Sequence, residues 1–300
     1  MSAYHVPVLL NQSVSALNIK TDGIYVDATF GGGGHSAEIL RRLGAEGKLV
    51  VFDQDADALA NVPDDGRVIP IHGNFRFIHN YLKYRGYGQV DGILADLGVS
   101  SHQFDTGGRG FSFRFDAPLD MRMNTLAEMN AEDIVNNYEE EDLERIFRLY
   151  GEVAGSRRVA TLICRARADA RIRTTGDLDR AIESVLPQSA RSKYLAKVYQ
   201  ALRIEVNHEM ASLEGLMDGA CKSLKPGGIF SVITYHSLED RIVKNYFKSG
   251  NASGVVECDI RGKGSCPYRQ VNRKPVLPDE EETGANPRAR SAKLRIAQKV

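Results

Sequence analysis

Several features are absent from this sequence, and each absence excludes a class of protein. Its 300 residues include four cysteines, Cys164, Cys221, Cys258 and Cys266. None forms a C-x-x-C pair or has a nearby histidine that completes a zinc pattern, so we expect free thiols in a reducing compartment. No apolar run approaches the roughly 18 residues of a membrane span, and no charged-then-apolar signal segment opens the chain. The sequence predicts a cytoplasmic protein with no membrane partner and no metal.

The net charge gives no information about a partner, because Lys plus Arg and Asp plus Glu both total 39. The distribution of charge is more informative. Residues 128–152 contain nine acids and two bases, residues 156–203 contain eleven bases and four acids, and residues 287–300 contain five bases and no acid. Any single run is typical of a solvated surface. Two basic tracts in a neutral protein nevertheless favour a polyanionic partner.

Short apolar runs alternate with helical patterns over the first hundred residues, which predicts βαβ units and a parallel sheet. The runs are unbroken, as expected for strands that are buried on both faces. We predict strands at 23–27, 48–53, 67–71, 90–96, 228–234 and 292–297, and helices at 34–43, 139–150 and 194–216. Residues 279–282 are expected to form a mobile loop.

The strand pattern stops after the fourth strand and resumes before the fifth. The simplest interpretation is one α/β domain with a mostly parallel, doubly wound sheet, formed by residues 1–104 and 208–300. Residues 105–207, which have no predicted strand, would then form an inserted all-helical domain.

A glycine-rich turn is the strongest local feature. Gly31–Gly34 follow the first strand directly and begin a helix. The first N–H groups of a helix are unpaired, and glycines have no Cβ to keep a ligand from the backbone, so this turn suits a nucleotide-like ligand. Asp53 ends the second strand about twenty residues later, where a carboxylate can accept both ribose hydroxyls of an adenosine. A purely structural turn and a helix-capping Asp53 remain alternatives. NAD also stays open, because Gly32, Gly34 and Ala37 fit a G-x-G-x-x-A pattern.

Further segments carry a resemblance to a known family. They are HVPVLL at 5–10, DATFGGGGH at 27–35, HGNF at 72–75, DGILADLGVSS at 91–101, RGFSF at 109–113, PLDMRM at 118–123, QALRIEVN at 200–207, HSLEDR at 236–241 and NPRARS at 286–291. In these segments, which cover nearly the whole chain, the sequence resembles the bacterial MraW-like methyltransferases. That family modifies the N4 amino group of a cytidine in the decoding region of small-subunit (16S) ribosomal RNA.

The resemblance implies a fold, a cofactor and a partner. The fold is the Rossmann-like domain of S-adenosylmethionine-dependent methyltransferases, the cofactor is S-adenosyl-L-methionine, and the partner is the small ribosomal subunit. It also implies roles for individual residues in cofactor binding. These are Gly33, Gly34 and His35 on the cofactor, Asp53 on the ribose, Phe75 near the adenine, and Asp96 and Gln103 along the rest of the ligand.

The catalytic residues expected for this chemistry are Asp96 and His236. Many amino methyltransferases have an Asn/Asp-Pro-Pro-Tyr segment after the fourth strand, whereas this chain has Asp96-Leu97-Gly98-Val99. Asp96 is therefore the natural acceptor for the hydrogens of the amino group. His236 could take the departing proton or hydrogen-bond the base. The alternative is that Ser237 and Asp240 cap the next helix and His236 only packs there.

Two rival functions remain at this stage. An NAD-dependent oxidoreductase leaves the segments after the fourth and fifth strands without a role, which disfavours it. A non-catalytic RNA-binding assembly factor would bind ribosomal particles without transferring a methyl group. In either RNA-binding case the contacts are expected from the basic tracts, which contain Arg157, Arg158, Arg165, Arg167, Arg171 and Arg173, and Arg288, Arg290, Lys293 and Arg295. The oligomeric state is not decided by the sequence, and a homodimer stays open.

Overall fold

The computed structural model describes residues 7–100, 104, 107–258 and 264–300. Seven strands form one sheet: β1 (Ile24–Asp27), β2 (Lys48–Asp53), β3 (Val68–His72), β4 (Val90–Asp96), β5 (Leu224–Thr234), β6 (Tyr268–Gln270) and β7 (Lys293–Lys299). Their order across the sheet is β3-β2-β1-β4-β5-β7-β6. Strands β1 to β5 pair in parallel, and β7 pairs antiparallel with both β5 and β6. The predicted α/β class with a mostly parallel Rossmann-like sheet is confirmed.

The helices fall between these strands in chain order. They are α1 (Leu10–Ala16), α2 (Gly34–Arg42), α3 (Ala56–Leu59), α4 (Ile78–Tyr84), α5 (Ala131–Asn137), α6 (Glu140–Leu149), α7 (Ser156–Asp169), α8 (Thr175–Ala181), α9 (Arg191–Val206), α10 (Glu209–Ser223), α11 (Ser237–Ser249) and α12 (Glu280–Ala285). Short 3-10 turns occur at Phe75–Phe77, Gly107–Arg109, Glu183–Val185, Gln188–Ala190 and Pro287–Ser291. Within the described residues, none of the helices combines the length and apolarity that a membrane span requires.

The chain divides into two compact units. The first unit contains Met1–Gly98 and Met210–Val300, and the second contains Val99–Glu209. All seven strands belong to the first unit, where helices cover both faces of the sheet. On one face Val14 and Ile39 pack against Leu49, and on the other Leu82 and Met217 join the buried cluster of the sheet.

The second unit is helical over its described residues and has its own core. Ile134, Phe147, Ile163 and Leu202, from four different helices, are fully buried in one cluster. Capping boxes begin two of its helices, with Asn130 and Asp133 before α5 and with Thr174 and Asp177 before α8. Each box satisfies backbone N–H groups that the first turn of a helix leaves unpaired. This unit therefore has the hydrophobic core and the helix signals of a separate folding unit.

Two sequence predictions about secondary structure are wrong. The helix predicted at 194–216 is two helices, α9 and α10, because His208 adopts a left-handed conformation with φ of 48°. The Asn207 side chain fixes this break: it accepts from the Met123 N–H at 2.7 Å and donates to the Met121 carbonyl at 2.8 Å. The loop expected at 279–282 instead begins α12, with Asp279 as its N-cap. Helical periodicity continued across both α9 and α10, so the break left no signal in the apolar pattern.

Candidate functional site

The predicted ligand site lies at the carboxyl ends of the central strands. Strands β1 and β4 are neighbours, although the chain runs from β1 outward to β3 before returning to β4. In open α/β sheets such a switch in strand order creates a crevice, and ligands bind there beyond the strand ends. Asp27 ends β1 and Asp96 ends β4. The backbone N–H of Asp96 donates to the Thr29 hydroxyl at 2.7 Å, which joins the two strand ends directly.

The glycine-rich turn has the form that a ligand-binding loop needs. Gly33 is the N-cap of α2 in a left-handed conformation with φ of 77°, and a Cβ at Gly34 would lie 2.1 Å from the Pro7 ring. Larger residues are therefore excluded at both positions. A Cβ at Gly32 would meet nothing within 4 Å. The main chain at Gly32 thus borders open space, and this is where a ligand can lie against it.

Asp53 is held against the glycine-rich turn. Its Oδ2 accepts from the Gly31 N–H at 2.8 Å, and its Oδ1 accepts from the Asp55 N–H at 2.9 Å. Desolvation by burial raises the pKa of Asp53, although these two hydrogen bonds oppose the rise. The N-cap of α3 is Asp55 rather than Asp53. A carboxylate has about four acceptor positions, so each oxygen retains capacity for a ribose hydroxyl.

Phe75 follows β3 at the same edge of the sheet. Its ring is partly buried and packs against the core cluster beneath the sheet. The preceding Asn74 anchors the segment, since its side-chain amide donates to Gln54 Oε1 at 3.0 Å and to Ser212 Oγ at 3.1 Å. Gln54 follows directly after Asp53, so this contact ties the segment that ends β3 to the segment that ends β2. Phe75 therefore offers a fixed, partly exposed aromatic surface close in the fold to Asp53.

Asp96 and Tyr235 form the most distinctive contact at this edge. The Tyr235 hydroxyl donates to Asp96 Oδ1 at 2.7 Å. About a quarter of the Asp96 side chain, 24%, is exposed, yet desolvation raises its pKa to about 6, against the lowering effects of His35 and Tyr235. Burial and the Asp96 charge raise the pKa of Tyr235 well above its usual value, so the phenol keeps its proton. Sequence reasoning missed Tyr235, whose only signal was its position directly after the fifth strand.

His35 is a buried side chain in the first turn of α2. Its Nε2 lies 3.1 Å from the Val8 carbonyl, and its Nδ1 lies 3.9 Å from Asp96 Oδ2. Because a carbonyl only accepts, Nε2 carries a proton, whereas 3.9 Å is too long for a hydrogen bond to Asp96. Burial lowers the pKa of His35 and thus favours the neutral ring. The imidazole therefore fixes the segment at Val8 against the first turn of α2.

His236 is the N-cap of α11. Its Nδ1 accepts from the Glu239 N–H at 3.4 Å, and the Glu239 carboxylate completes a capping box. Its Nε2 is buried and lies 3.1 Å from Glu239 Oε1, but in a geometry that makes no hydrogen bond. The predicted alternative, in which Ser237 and Asp240 cap this helix and His236 only packs there, is wrong, because His236 is itself the N-cap and the Asp240 carboxylate accepts from Arg295 at 2.6 Å. His236 thus has a capping nitrogen and a buried nitrogen without a hydrogen bond.

The structure brings most of the predicted site residues to one edge of the sheet. Gly33, Gly34, His35, Asp53, Phe75, Asp96 and His236 all follow the carboxyl ends of β1 to β5. Gln103 lies outside the described residues. Three carboxyl groups at this edge, Asp27, Asp53 and Asp96, have a pKa raised by burial. Concentration of perturbed carboxyl groups in one crevice is typical of a functional site.

The basic tract at the C-terminal end is less available than the sequence predicts. Arg295 is 6% exposed, and its guanidinium donates to Asp240 at 2.6 Å and 3.2 Å. Lys293 Nζ lies 3.4 Å from the same carboxylate. Both cations are therefore paired with a carboxylate of the same chain. Arg288 and Arg290 are exposed.

Comparison with known proteins shows the family of this chain. The model of the MraW methylase family matches residues 2–300. Proteins named ribosomal RNA small subunit methyltransferase H are similar over almost their entire length. The relative from Parabacteroides distasonis is 55% identical over 300 residues, covering 100% of this chain and 98% of its own. The relative from Cytophaga hutchinsonii is 49% identical over 300 residues, covering 99% of each chain.

Solved structures are much more distant. An rRNA methylase from Streptococcus thermophilus has 12% identity and a TM-score of 0.41, with 99% of each chain covered. A SAM-dependent O-methyltransferase from Thermotoga maritima has 11% identity and a TM-score of 0.39, with 97% of this chain and 64% of that chain covered. At this level of similarity the fold assignment depends on the strand order itself and not on these neighbours.

The family match and the relatives confirm the family predicted from the sequence. They also confirm methyl transfer as the type of reaction and S-adenosylmethionine as the cofactor, and they disfavour the NAD-dependent alternative. The chain belongs to the MraW methylase family.

Proposed function

We propose that this protein transfers a methyl group from S-adenosylmethionine to the N4 amino group of a cytidine in the decoding region of 16S ribosomal RNA. The names of the relatives support a small-subunit ribosomal RNA substrate, and the sequence motifs support the cytidine N4 position. One observation in the structure carries the chemistry: a partly exposed Asp96 carboxylate, oriented by Tyr235, at the carboxyl end of β4.

The residues of the crevice fit the cofactor. Asp53 would accept the ribose hydroxyls, and the ring of Phe75 would provide an apolar surface for the adenine. The bare backbone at Gly32 leaves room for the ligand, while Gly33, Gly34 and His35 would contribute main-chain contacts at the start of α2. Gln103 is proposed to contact the rest of the ligand. When bound, S-adenosylmethionine supplies a methyl group on a positively charged sulfur.

Asp96 would act on the amino group of the base. The nitrogen of a cytosine amino group is a poor nucleophile because its lone pair is delocalised into the ring. Asp96 Oδ1 is occupied by Tyr235, whereas Oδ2 receives no hydrogen bond from the described residues. Oδ2 can therefore accept an N4 hydrogen, which localises the lone pair and stabilises positive charge on nitrogen. When the nitrogen is methylated, its surplus proton would pass to Asp96 Oδ2 and then to solvent.

The pKa of Asp96 suits this role. A carboxyl with an ordinary pKa near 3.8 would be a weak base, whereas a pKa of about 6 leaves Asp96 ionised at neutral pH and raises its basicity. An acceptor works best when its pKa lies close to the operating pH. Tyr235 keeps the carboxylate oriented without neutralising it, since the phenol donates one hydrogen bond and retains its proton.

The two ring nitrogens of His236 have different contacts, and we propose a different role for each. Nδ1 caps α11 and so has a structural role, while the buried Nε2 makes no hydrogen bond within the described chain. An unpaired buried nitrogen costs free energy unless a further group satisfies it. Because Nδ1 accepts from the Glu239 N–H, the proton of the neutral ring is on Nε2. We propose that Nε2 donates a hydrogen bond to the base when substrate is bound.

The second unit is proposed to recognise RNA. Helix α7 carries three exposed arginines, Arg157, Arg158 and Arg165, and Arg173 after the helix is exposed too. None of the four forms an ion pair with the described residues. Arg167 and Arg171 are instead held by the fold, through the Val135 carbonyl at 2.9 Å and the Glu132 carboxylate at 2.6 Å. The exposed arginines would contact phosphates and position the RNA, and the target base would have to leave its stack to reach the methyl group.

A methyl-transfer assay tests this function. Purified small subunits that lack the modification are incubated with the protein and labelled S-adenosylmethionine, and the product nucleoside is mapped by mass spectrometry. We expect one N4-methylcytidine in the decoding region of the RNA. Stable binding to the particles without methyl transfer would instead identify an assembly factor, and a methyl group on another nucleotide would overturn the proposed specificity.

A further inference from the structure

An exposed aromatic surface lies outside the site described above. Phe77 and Tyr84 are 48% and 86% exposed. Together with Asn80 and Tyr81 they line a shallow hollow of about 300 Å³ along one side of α4. Phe77 is the N-cap of α4, and the other three residues follow it at i+3, i+4 and i+7, the spacing at which side chains share one helix face. We call this set the aromatic stripe.

The aromatic stripe is held in place by the buried side of the same helix. Ile78 and Leu82 are fully or almost fully buried in the core beneath the sheet. The ring of Tyr81 makes an edge-to-face contact with Phe52, with 5.8 Å between ring centroids. Because α4 is fixed by these contacts, its exposed rings are presented on a rigid support and not on a mobile loop.

Cations border the aromatic stripe on both sides. By helical spacing Arg76 and Lys83 fall on one side of the stripe and Arg85 falls on the other. All three are exposed and form no ion pair with the described residues. The Arg76 guanidinium lies 5.0 Å from the centre of the Phe77 ring. Residues 75–89 contain no acidic residue. The surface therefore combines flat apolar rings with cations, and this segment contributes no negative charge.

The helix packed behind α4 does not neutralise this charge. Helix α10 approaches through its glycines, Gly215 beside Arg76 and Gly219 beside Ile78. The acids next to these glycines, Glu214 and Asp218, both act on Tyr246 of α11: burial raises the pKa of that tyrosine most, the hydrogen bond and charge of Asp218 raise it further, and so does the charge of Glu214. The positive charge of α4 is thus left for a ligand.

Stacking rings bordered by cations are the features with which proteins bind single-stranded nucleic acid. Bases of any sequence stack on aromatic side chains, while Lys and Arg follow the phosphates. Aromatic residues and arginine are enriched at protein interfaces as well, but cations without any acid among residues 75–89 favour a polyanion over a protein. The position also fits, since Phe77 comes two residues after Phe75, the proposed adenine contact. RNA on this stripe would lie on the same unit as the methyl-transfer crevice.

We propose that the aromatic stripe, with Arg76, Lys83 and Arg85, binds an unpaired segment of the ribosomal RNA that contains the target base. This inference rests on the proposed function for the identity of the RNA. The stripe is a binding surface and takes no part in methyl transfer itself. It increases affinity for the substrate by stacking bases that are not modified.

Variants of Tyr84 and Phe77 test the surface directly. Binding of a short labelled single-stranded RNA is measured by fluorescence anisotropy, and KM and kcat for unmodified small subunits are measured by methyl transfer. We expect Phe77→Ala/Tyr84→Ala to weaken RNA binding about ten- to a hundredfold and to raise KM with little change in kcat. Affinity for S-adenosylmethionine, measured by calorimetry, should match that of the unchanged protein. Leu277→Ala, at a site 58% exposed, is the control for loss of exposed apolar surface.

Conservative variants distinguish stacking from simple apolar contact. Tyr84→Phe retains the ring and should bind RNA normally, whereas Tyr84→Leu retains apolar area without a ring and should behave like Tyr84→Ala. Equal RNA affinity in all the variants would overturn the proposal. Normal RNA binding by Tyr84→Leu together with weak binding by Tyr84→Ala would also contradict it, because apolar contact without stacking would then be sufficient. If the unchanged protein transfers no methyl group to the subunits, the proposed function fails, but the anisotropy series still decides whether the stripe binds RNA.

Discussion

The Tyr235 hydroxyl donates a 2.7 Å hydrogen bond to Asp96, and this contact joins the ends of β4 and β5 across the proposed methyl-transfer site. The pairing of the two strands explains it. Asp96, the last residue of β4, pairs with Ile233 of β5 in the parallel register, and Tyr235 comes two residues after Ile233. One oxygen of the carboxylate is thereby fixed, and the other remains available to a substrate.

Loss of the Tyr235 hydroxyl should change the acidity of Asp96. The hydrogen bond favours the carboxylate and so lowers its pKa, against the larger effect of burial. In Tyr235→Phe the pKa of Asp96 should rise further, and the midpoint of the pH–rate profile should move up by about one pH unit. Single-turnover rates across the acid limb measure this shift. An unmoved midpoint in a folded variant would show that Tyr235 does not tune Asp96.

The charge of Asp96 should also lower the stability of the folded protein. Its folded pKa of about 6 exceeds the ordinary value of 3.8, so ionisation costs stability as pH rises through this interval. Without cofactor at neutral pH, Asp96→Asn should be more stable by up to about 3 kcal/mol. Urea denaturation at neutral and at mildly acidic pH checks the sign, because the gain should shrink toward acid. A destabilised Asn variant would indicate that the carboxylate is held by favourable contacts instead.

Asp53 should control cofactor affinity. Asp53→Ala removes charge-assisted hydrogen bonds of about 1.5–3 kcal/mol, which corresponds to roughly ten- to a hundredfold weaker binding of S-adenosylmethionine. Because Asp53 also accepts from Gly31 and Asp55, Asp53→Asn is a necessary second variant, as its oxygen preserves part of this support. Calorimetry measures both, with Asp57→Asn as a nearby exposed control. Undiminished affinity in folded variants would restrict Asp53 to a structural role.

His236 can be divided into its two functions by substitution. Asn is a good helix N-cap, so His236→Asn should retain the stability of α11 while removing the buried Nε2. His236→Ala should lose about 1 kcal/mol or more through the cap alone. If Nε2 serves the reaction, both variants lose turnover, but only His236→Ala unfolds more easily. Full activity in the Asn variant would leave His236 with the capping role alone.

The exposed arginines of α7 should contribute to the salt dependence of RNA binding. Arg157→Ala/Arg158→Ala/Arg165→Ala removes up to three phosphate contacts, and each contact is worth a slope of about −0.7 on a single strand. The slope of log affinity against log salt should flatten by up to about 2. Arg171→Ala is the matched control, because Arg171 is already paired with Glu132. Arg288→Ala/Arg290→Ala should have a smaller effect of the same sign. If every variant has the wild-type salt slope, these basic surfaces do not contact the RNA.

The sequence was most informative where structure is local. Strands β2 and β4 have the bounds predicted for them, 48–53 and 90–96, because each contains a continuous apolar run of the kind expected in a strand buried on both faces. The glycine-rich turn and Asp53 were identifiable because strand, turn and helix follow each other directly. The break at Asn207 was not, because it depends on hydrogen bonds to residues more than eighty positions away. Tyr235 and the internal pairing of Lys293 and Arg295 were missed for the same reason, as both need the fold to bring distant strands together.

Single-turnover methyl transfer to unmodified small subunits, measured as a function of pH, tests the role of Asp96 most directly. The account predicts that the rate of the unchanged protein rises with pH through about 6 as Asp96 ionises, then levels off. Asp96→Asn, which is nearly the same shape, should be slower by at least about a hundredfold and should lack this titration, with its affinity for RNA intact. An Asn variant that transfers methyl groups at the normal rate would contradict the account.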